Sequence, residues 1–415
     1  MPAISTKAFS VNNKTYKPKA KPIVVICLDG SADEYLDTTL LHDRMPHLKK
    51  MVLHGYRGMV RGALPSFTNV NNSSIVTGVS PALHGISGNF FYDEIKDQEV
   101  MMNSAEYLRA ETILAAASGA GRKLGVITAK EKLRDILSHK MSGIAFSAEK
   151  ANQAKQETHG IENVEEITGY KTPAIYSADA SLFVLRAGVA LIQKGLADFL
   201  YLSLTDYMQH TFSPEKEESL AFYEAIDKEL GRLLSLGSIV GATADHGMNA
   251  KIKADGSPNV LYVEDMLETK FGHNGFRVIC PITDPYVKHH GALGSYVVIH
   301  VDNKSIVNEV KNWLTIQDGI TEVYDRAMAV RVLEQPEDRT GDLVVLSARD
   351  VVVGRRPQYH DLSALDGTLR SHGGRYEEMV PILISHPLND EYKIKASRDP
   401  RNFDIFDFTI NGTVL

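Results

Sequence analysis

The 415-residue sequence predicts an α/β fold, a mainly parallel sheet sandwiched by helices, with an inserted α+β cap. Three observations predict it. Short β-branched apolar runs recur, each ending in a polar residue; stretches with helical apolar spacing lie between them; and one long segment breaks the pattern. Apolar runs without strict alternation suit strands covered on both faces. Strands alternating with helices give parallel neighbours joined by right-handed crossovers.

The first run, Ile23 to Leu28, ends at Asp29-Gly30. A loop from Pro65 then enters a helix that ends near Gly78, with Thr68 at its start. Ala105 to Ala120 reads as one helix, ended near Gly121, and Leu124 to Ala129 as a strand that ends at Lys130. Ala178 to Gly195 is a helix; Phe199 to Thr205 is a strand that ends at Asp206. Pro214 to Leu236 is a long amphipathic helix, followed by the strand Ile239 to Ala244, which ends at Asp245-His246. Residues 251–366 carry Gly272, Gly275, Asp284-Pro285 and His289-His290-Gly291, then strands with alternation such as Ser295 to Val301 and Asp342 to Val353. They are expected to form the cap. Residues 1–250 and 367–415 form the core, which resumes with Ser371-His372-Gly373-Gly374 and a last buried strand, Val380 to Ser385.

Composition narrows the function. With a formal net charge of -7 the chain has no overall basic field, so neither nucleic acid nor an anionic membrane is an expected partner. An anionic substrate would need a local positive centre. Two cysteines, Cys27 and Cys280, make a disulfide framework improbable and a reducing cytoplasm the expected compartment. Cys27 belongs to an apolar run and is expected in the core. The first 21 residues lack the apolar stretch of a signal peptide, and no run reaches the roughly 18 apolar residues of a membrane span. The sequence is compatible with a homodimer and does not set the oligomeric state.

In a parallel sheet the carboxyl ends of the strands share one edge, where ligands bind. Asp29, Lys130, Asp206 and Asp245-His246 should therefore converge, joined by His210, four residues past Asp206, and by His372 in its glycine-bounded turn. Carboxylate oxygen with imidazole nitrogen suits zinc and similar divalent ions, and two such ions can clamp the attacking and leaving atoms of a phosphoryl transfer. Singly, each residue has an ordinary explanation: Asp29 as a helix cap, His372 as a structural hydrogen-bonder. Their shared placement at strand ends favours a metal site. Thr68 has two readings, a plain N-cap or a nucleophile whose hydroxyl a metal activates at a helix terminus that favours anions. Lys130 and Lys132 are either a solvated pair or a cationic contact for substrate. His42, His47 and His54 read as surface or packing residues, and His84 as a support for the loop before Asn89. His289 and His290 lie in the cap and could reach the site, though nothing in the sequence fixes them there; Arg370 and Arg375 beside His372 are further candidates for contact with anionic groups.

The ordered set Asp29, Thr68 within Ser-Phe-Thr-Asn, Asp206 with His210, Asp245-His246-Gly247-Met248 and His372-Gly373-Gly374 resembles the alkaline phosphatase superfamily. The resemblance spans about residues 20–250 and 367–415. It implies two zinc ions, one held by Asp206, His210 and His372 and the other by Asp29, Asp245 and His246 with the Thr68 hydroxyl. Iron(II) and manganese(II) accept the same donors. Thr68 would take up the phosphoryl group and water would release it. Gly85-Ile86-Ser87-Gly88-Asn89-Phe90-Phe91 and Thr128-Ala129-Lys130-Glu131-Lys132-Leu133 carry a closer resemblance, to the phosphonoacetate hydrolases. That resemblance implies Asn89 near the phosphoryl oxygens and Lys130 and Lys132 facing a carboxylate. The expected substrate is then a small phosphonate, cleaved at its carbon–phosphorus bond to acetate and phosphate. A phosphodiesterase or phosphomonoesterase on the same two-metal core is the alternative.

Overall fold

The computed structural model describes residues 3–272, 275–284, 291–363, 365 and 367–415. Pro285, His289 and His290, singled out above, lie outside the described residues. Eleven strands matter here. Those of the core are β1 (Ile23–Cys27), β2 (Tyr56–Arg61), β3 (Leu124–Thr128), β4 (Gly143–Ser147), β5 (Phe199–Ser203) and β6 (Ile239–Thr243). The insertion supplies β7 (Phe276–Ile279), β8 (Tyr296–Val301), β9 (Ile320–Asp325) and β10 (Leu343–Ser347), and the chain returns to the core as β11 (Met379–Ile384).

The core sheet has the order β2–β11–β6–β1–β5–β3–β4. From β6 to β4 all neighbours are parallel; only β11 runs against its two neighbours. This is the mainly parallel sheet the sequence predicts. Both faces are covered, which explains runs without alternation. Val24 and Ile26 join one apolar cluster with Phe183 and Leu185 of α2 (Ala178–Gln193) and Phe222 and Leu230 of α3 (Glu217–Ser235). Ile23, Val25 and Cys27 face the opposite cluster, with Ile75 and Val76 of α1 (Thr68–Thr77) and Phe406 and Phe408 near the C-terminus. Each such side chain contributes roughly 1.5–3 kcal/mol on burial. Strand β2 went unread in the sequence because it is an edge strand with two arginines and a glycine, buried only at Val60.

Two expectations need correction. Ala105 to Ala120 is not one helix: a single turn at Ala105–Tyr107 is followed by an extended stretch and then a helix at Ile113–Gly119. The Thr112 hydroxyl caps that helix by accepting from the Ala115 N–H at 3.0 Å, while the Arg109 N–H is drawn away to the His84 carbonyl. In the insertion, β8 and β10 do not alternate; every residue of both is buried. They sit inside the antiparallel sheet β7–β8–β10–β9. One apolar cluster joins them to Val310 and Leu314 of the insertion and to Leu64, Phe67 and Val70 of the core. Among the described residues no helix is long and apolar enough to cross a membrane.

Candidate active site

Strands β6, β1, β5 and β3 end in register, with Thr243 beside Cys27, Cys27 beside Ser203, and Thr128 beside Ser203. The residues just beyond those ends therefore stand side by side: Asp245-His246, Asp29, Asp206 and Lys130. Gly30 permits the approach. Its φ is +69°, and a Cβ there would lie 2.8 Å from the Asp206 Cβ. Its N–H donates to Asp245 Oδ1 at 3.2 Å.

Asp29 is 1% exposed, and neither of its oxygens accepts a hydrogen bond. It caps no helix; the nearest cap position belongs to Ala32. Its closest charged neighbour is His246 Nε2, at 3.3 Å from Oδ1. Asp206 Oδ2 lies 3.0 Å from His210 Nε2, 3.8 Å from His372 Nε2 and 3.9 Å from His246 Nε2, while its Oδ1 accepts from Lys130 Nζ at 3.2 Å. Thr68 is the first residue of α1, and the cap position belongs to Phe67, whose backbone is extended. The plain N-cap reading of Thr68 is thus excluded. Its hydroxyl lies 3.4 Å from His246 Nε2.

Each histidine has its outer nitrogen tied to a backbone carbonyl: His210 Nδ1 to Arg370 at 2.8 Å, His246 Nδ1 to Gly247 at 2.8 Å, His372 Nδ1 to Ser66 at 2.7 Å. That arrangement turns every Nε2 towards the carboxylates, as ligating histidines are usually held. The rings of His246 and His372 stack at 3.5 Å and 4°. Two sets of donors lie close enough to share an ion: Asp206, His246 and His372, and Asp29, Asp245 and His246. His246 belongs to both; His210 is in neither set and adjoins the first through Asp206 and the His372 ring, 5.5 Å away between centroids.

Electrostatics fit the same purpose. Burial, with Asp206 and Asp245 alongside, pushes the Asp29 carboxyl well above the usual range. Burial lowers the affinity of the His246 imidazole for a proton, but Asp245, Asp29 and Asp206 outweigh it and push this residue up to about 10. Burial works against the charge on Asp206 too; Lys130 and His210 outweigh it and hold the carboxyl low. Three carboxylates are thus buried together around three imidazoles. Such a concentration of negative charge is costly unless cations balance it, and the donor chemistry matches divalent ions.

The type I phosphodiesterase / nucleotide pyrophosphatase family model matches residues 23–375. The chain belongs to that family. Over its full length it is 41% identical to phosphonoacetate hydrolase from Sinorhizobium meliloti 1021 in complex with phosphonoformate, with a TM-score of 0.94 and 100% of each chain covered. The same enzyme in complex with phosphonoacetate matches at 40% identity and a TM-score of 0.94, again with 100% of each chain covered. Murine ectonucleotide pyrophosphatase / phosphodiesterase 5 shares the fold, at 17% identity and a TM-score of 0.64 over 95% of this chain and 96% of that one. Venom phosphodiesterase of Macrovipera lebetinus is 26% identical over 245 residues, 55% of this chain but 25% of that protein. The chain therefore spans about a quarter of that relative's length. These findings support a hydrolase and agree with the alkaline phosphatase superfamily resemblance.

In this family member Lys130 and Lys132 border a cavity of about 530 Å³, lined also by Asn103, Tyr176 and Asp284. Lys132 is paired with Asp284. Burial lowers its pKa, and Lys130 adds to that. Burial also disfavours the Lys130 ammonium, but Asp206 and Asp29 outweigh it and keep it charged. Asn89 is buried, with its amide N–H donating to the Ile282 carbonyl at 3.2 Å and its Oδ1 without a partner. His84 supports the loop before it as expected, accepting the Ile86 N–H at 3.1 Å.

Arg370 and Arg375 are engaged elsewhere. Arg370 donates to the Gln209 carbonyl and the Tyr35 hydroxyl, and Arg375 pairs with Glu322 and Glu378. Sequence reasoning missed Asn72. Its Oδ1 accepts from Tyr201 and Ser203, which turns its Nδ2 onto Asp245 Oδ2 at 3.3 Å and the Thr68 carbonyl at 3.1 Å. The available signal was polar residues filling α1, all ten of whose positions are buried.

Proposed function

We propose that the chain is a two-metal phosphonate hydrolase that converts phosphonoacetate and water to acetate and phosphate through a phosphothreonine at Thr68. One observation carries this reading: the 41% identity, over the whole length, to an enzyme with that substrate. Lys130 and Lys132 add to it, as two lysines on the cavity wall, Lys130 beside Asp206 and Lys132 beside Asp284.

Asp206, His210 and His372 fit one divalent ion, and Asp29, Asp245 and His246 with the Thr68 hydroxyl fit a second, read as zinc. When bound, the ions supply Lewis acidity that lowers the hydroxyl pKa and neutralises phosphoryl oxygens. Thr68 Oγ1 attacks phosphorus, and the new O–P bond forms as the C–P bond breaks. The electron pair stays on the methylene carbon and spreads into the neighbouring carboxylate. Lys130 and Lys132 face that carboxylate and stabilise charge that develops only in the transition state. Asn89 binds the phosphoryl end. Water then cleaves the phosphothreonine and restores Thr68. One water is consumed: its oxygen ends on phosphate, and its protons are divided between the methyl group of acetate and the phosphate.

Residues 251–366 act in this reading as a cover over the sheet edge. Both cysteines are buried and unpaired, in keeping with a reducing cytoplasm. The family match favours one second reading, a phosphodiesterase on the same core. Phosphate release from phosphonoacetate, compared with turnover of an aryl phosphodiester by the same zinc-loaded protein, separates the two. We expect the phosphonate to be the better substrate; a preference for the diester would overturn the proposal.

A further inference from the structure

Two charged groups that this chemistry does not use are wholly buried. Lys251 and Glu377 each have 0% of the side chain exposed, with Nζ and Oε1 2.8 Å apart. Desolvating two charges costs about as much as their attraction returns, so such a pair adds little stability by itself. Its position suggests another role. Glu377 Oε2 accepts the Gly374 N–H at 3.1 Å, two residues past His372. The Glu377 carbonyl accepts the Gly247 N–H at 2.8 Å, next to His246. Glu377 Oε1 accepts from Asn249 Nδ2, at 2.6 Å, as well as from Lys251, whose ammonium also donates to the Arg349 carbonyl at 2.7 Å. One residue therefore grips both loops that carry the stacked imidazoles. The loops also pair directly, Asn249 with Ser371 and Ala250 with Arg370, so Glu377 braces a short ladder from outside it. At Gly373 the backbone sits at φ +122°, where a Cβ would lie 2.4 Å from the Phe67 ring.

We infer that Glu377, neutralised by Lys251, is a positioning residue that sets the separation of His246 and His372 and so the affinity of the site for divalent cations. The inference rests on the metal reading given above. It deepens that reading by adding a support outside the donor set, and supports of this kind are typically worth 10–100-fold in metal affinity.

The test loads the chain with Co2+, whose visible d–d absorption reports coordination geometry, and measures its affinity by competition with a chelator. Glu377→Gln removes the charge and keeps a single acceptor oxygen, enough for either Gly374 or Asn249; Lys251→Met removes the counter-charge. Each is expected to weaken Co2+ binding by about tenfold or more and to shift the d–d bands. Leu233→Ala serves as a control for lost stability, since Leu233 is a buried residue in the last turn of α3 whose carbonyl accepts the Ser238 N–H just before the amino end of β6. It should leave both readouts unchanged. Should a charge variant not fold, Asn249→Ala probes the same bridge without stranding a charge and carries the same expectation. Normal Co2+ uptake, with the bridge variants no more altered than Leu233→Ala, overturns this inference alone. A wild-type chain that takes up no Co2+ overturns the metal reading and this inference with it.

Discussion

Thr68 occupies the first turn of its helix rather than the cap, so its hydroxyl is free of a capping bond and points at His246. We predict that Thr68→Ala loses on the order of 10³-fold or more in turnover while zinc content stays near wild type. Thr68→Ser should keep part of the activity, because the hydroxyl survives. A near-normal rate for the alanine variant would remove Thr68 from the chemistry. The lysines differ in what they touch. Lys130 contacts Asp206, so Lys130→Ala should depress both phosphonoacetate and aryl phosphate ester hydrolysis. Lys132 contacts Asp284, so Lys132→Ala should depress phosphonoacetate turnover much more than ester turnover. Equal losses on the two substrates for Lys132→Ala count against its carboxylate role. Residue types at strand ends were readable without a structure; the engagements of Arg370 and Arg375 were not, since their partners Tyr35 and Glu322 are remote in sequence.

Helix α1 shows how an element serves the site. It is polar yet buried along its length, and its side chains bond inward to Asp245, the preceding loop and His84. His84 accepts the Ile86 N–H and meets the Ser74 hydroxyl at 2.8 Å, so it works as a neutral imidazole. Burial pushes it from the ordinary 6.5 down to about 3. The unfolded chain then binds a proton that the folded chain refuses. The His84 contribution is full above the ordinary value and is lost as pH falls from 6.5 towards 3, at up to ~1.4 kcal/mol per pH unit. His84→Asn retains an acceptor for Ile86. It should flatten the fall of unfolding free energy across that window, measured by urea denaturation at several pH values; identical slopes would refute the assignment. The misread helix at 105–120 belongs to this scale too. Its composition is helical, but Thr112 supplies a cap and His84 captures the Arg109 N–H, so tertiary contacts override propensity.

At the scale of the molecule, the insertion shares an apolar cluster with Phe67 and Val70, and Phe67 meets both Tyr296 and His372 edge-on. A segment bound this way should unfold with the core. The single tryptophan, Trp313, packs edge-on against Phe271 within the insertion. Its fluorescence and the far-UV circular dichroism of the whole chain should therefore report one coincident thermal transition. An earlier fluorescence transition would make residues 251–366 an independent unit. Stability should also depend on metal. Zinc at a thousandfold excess over its dissociation constant adds about 4 kcal/mol, so chelation should lower the Tm and zinc restore it. In metal-free protein Asp29→Asn should raise the Tm, because a buried carboxylate without hydrogen bonds is removed. A lower Tm for that variant would mean that Asp29 stabilises the fold by itself.

From sequence alone came the sheet, its direction and the set of residues at its carboxyl edge. That much is local: an apolar run covered on both faces must be an inner strand, and whatever follows it must emerge at one edge. Three things were decided only in three dimensions. Stacking His246 on His372 needs two loops about 125 residues apart in the sequence, paired through Asn249 with Ser371 and Ala250 with Arg370 beside a buried ion pair that composition cannot announce. Orienting Asp245 needs Asn72, whose amide is turned by hydroxyls from another strand. Full burial of β8 and β10 comes from core residues such as Phe67 packing onto the insertion. Pattern reports which face a residue prefers, whereas the identity of what fills that face depends on chain paths that meet only on folding.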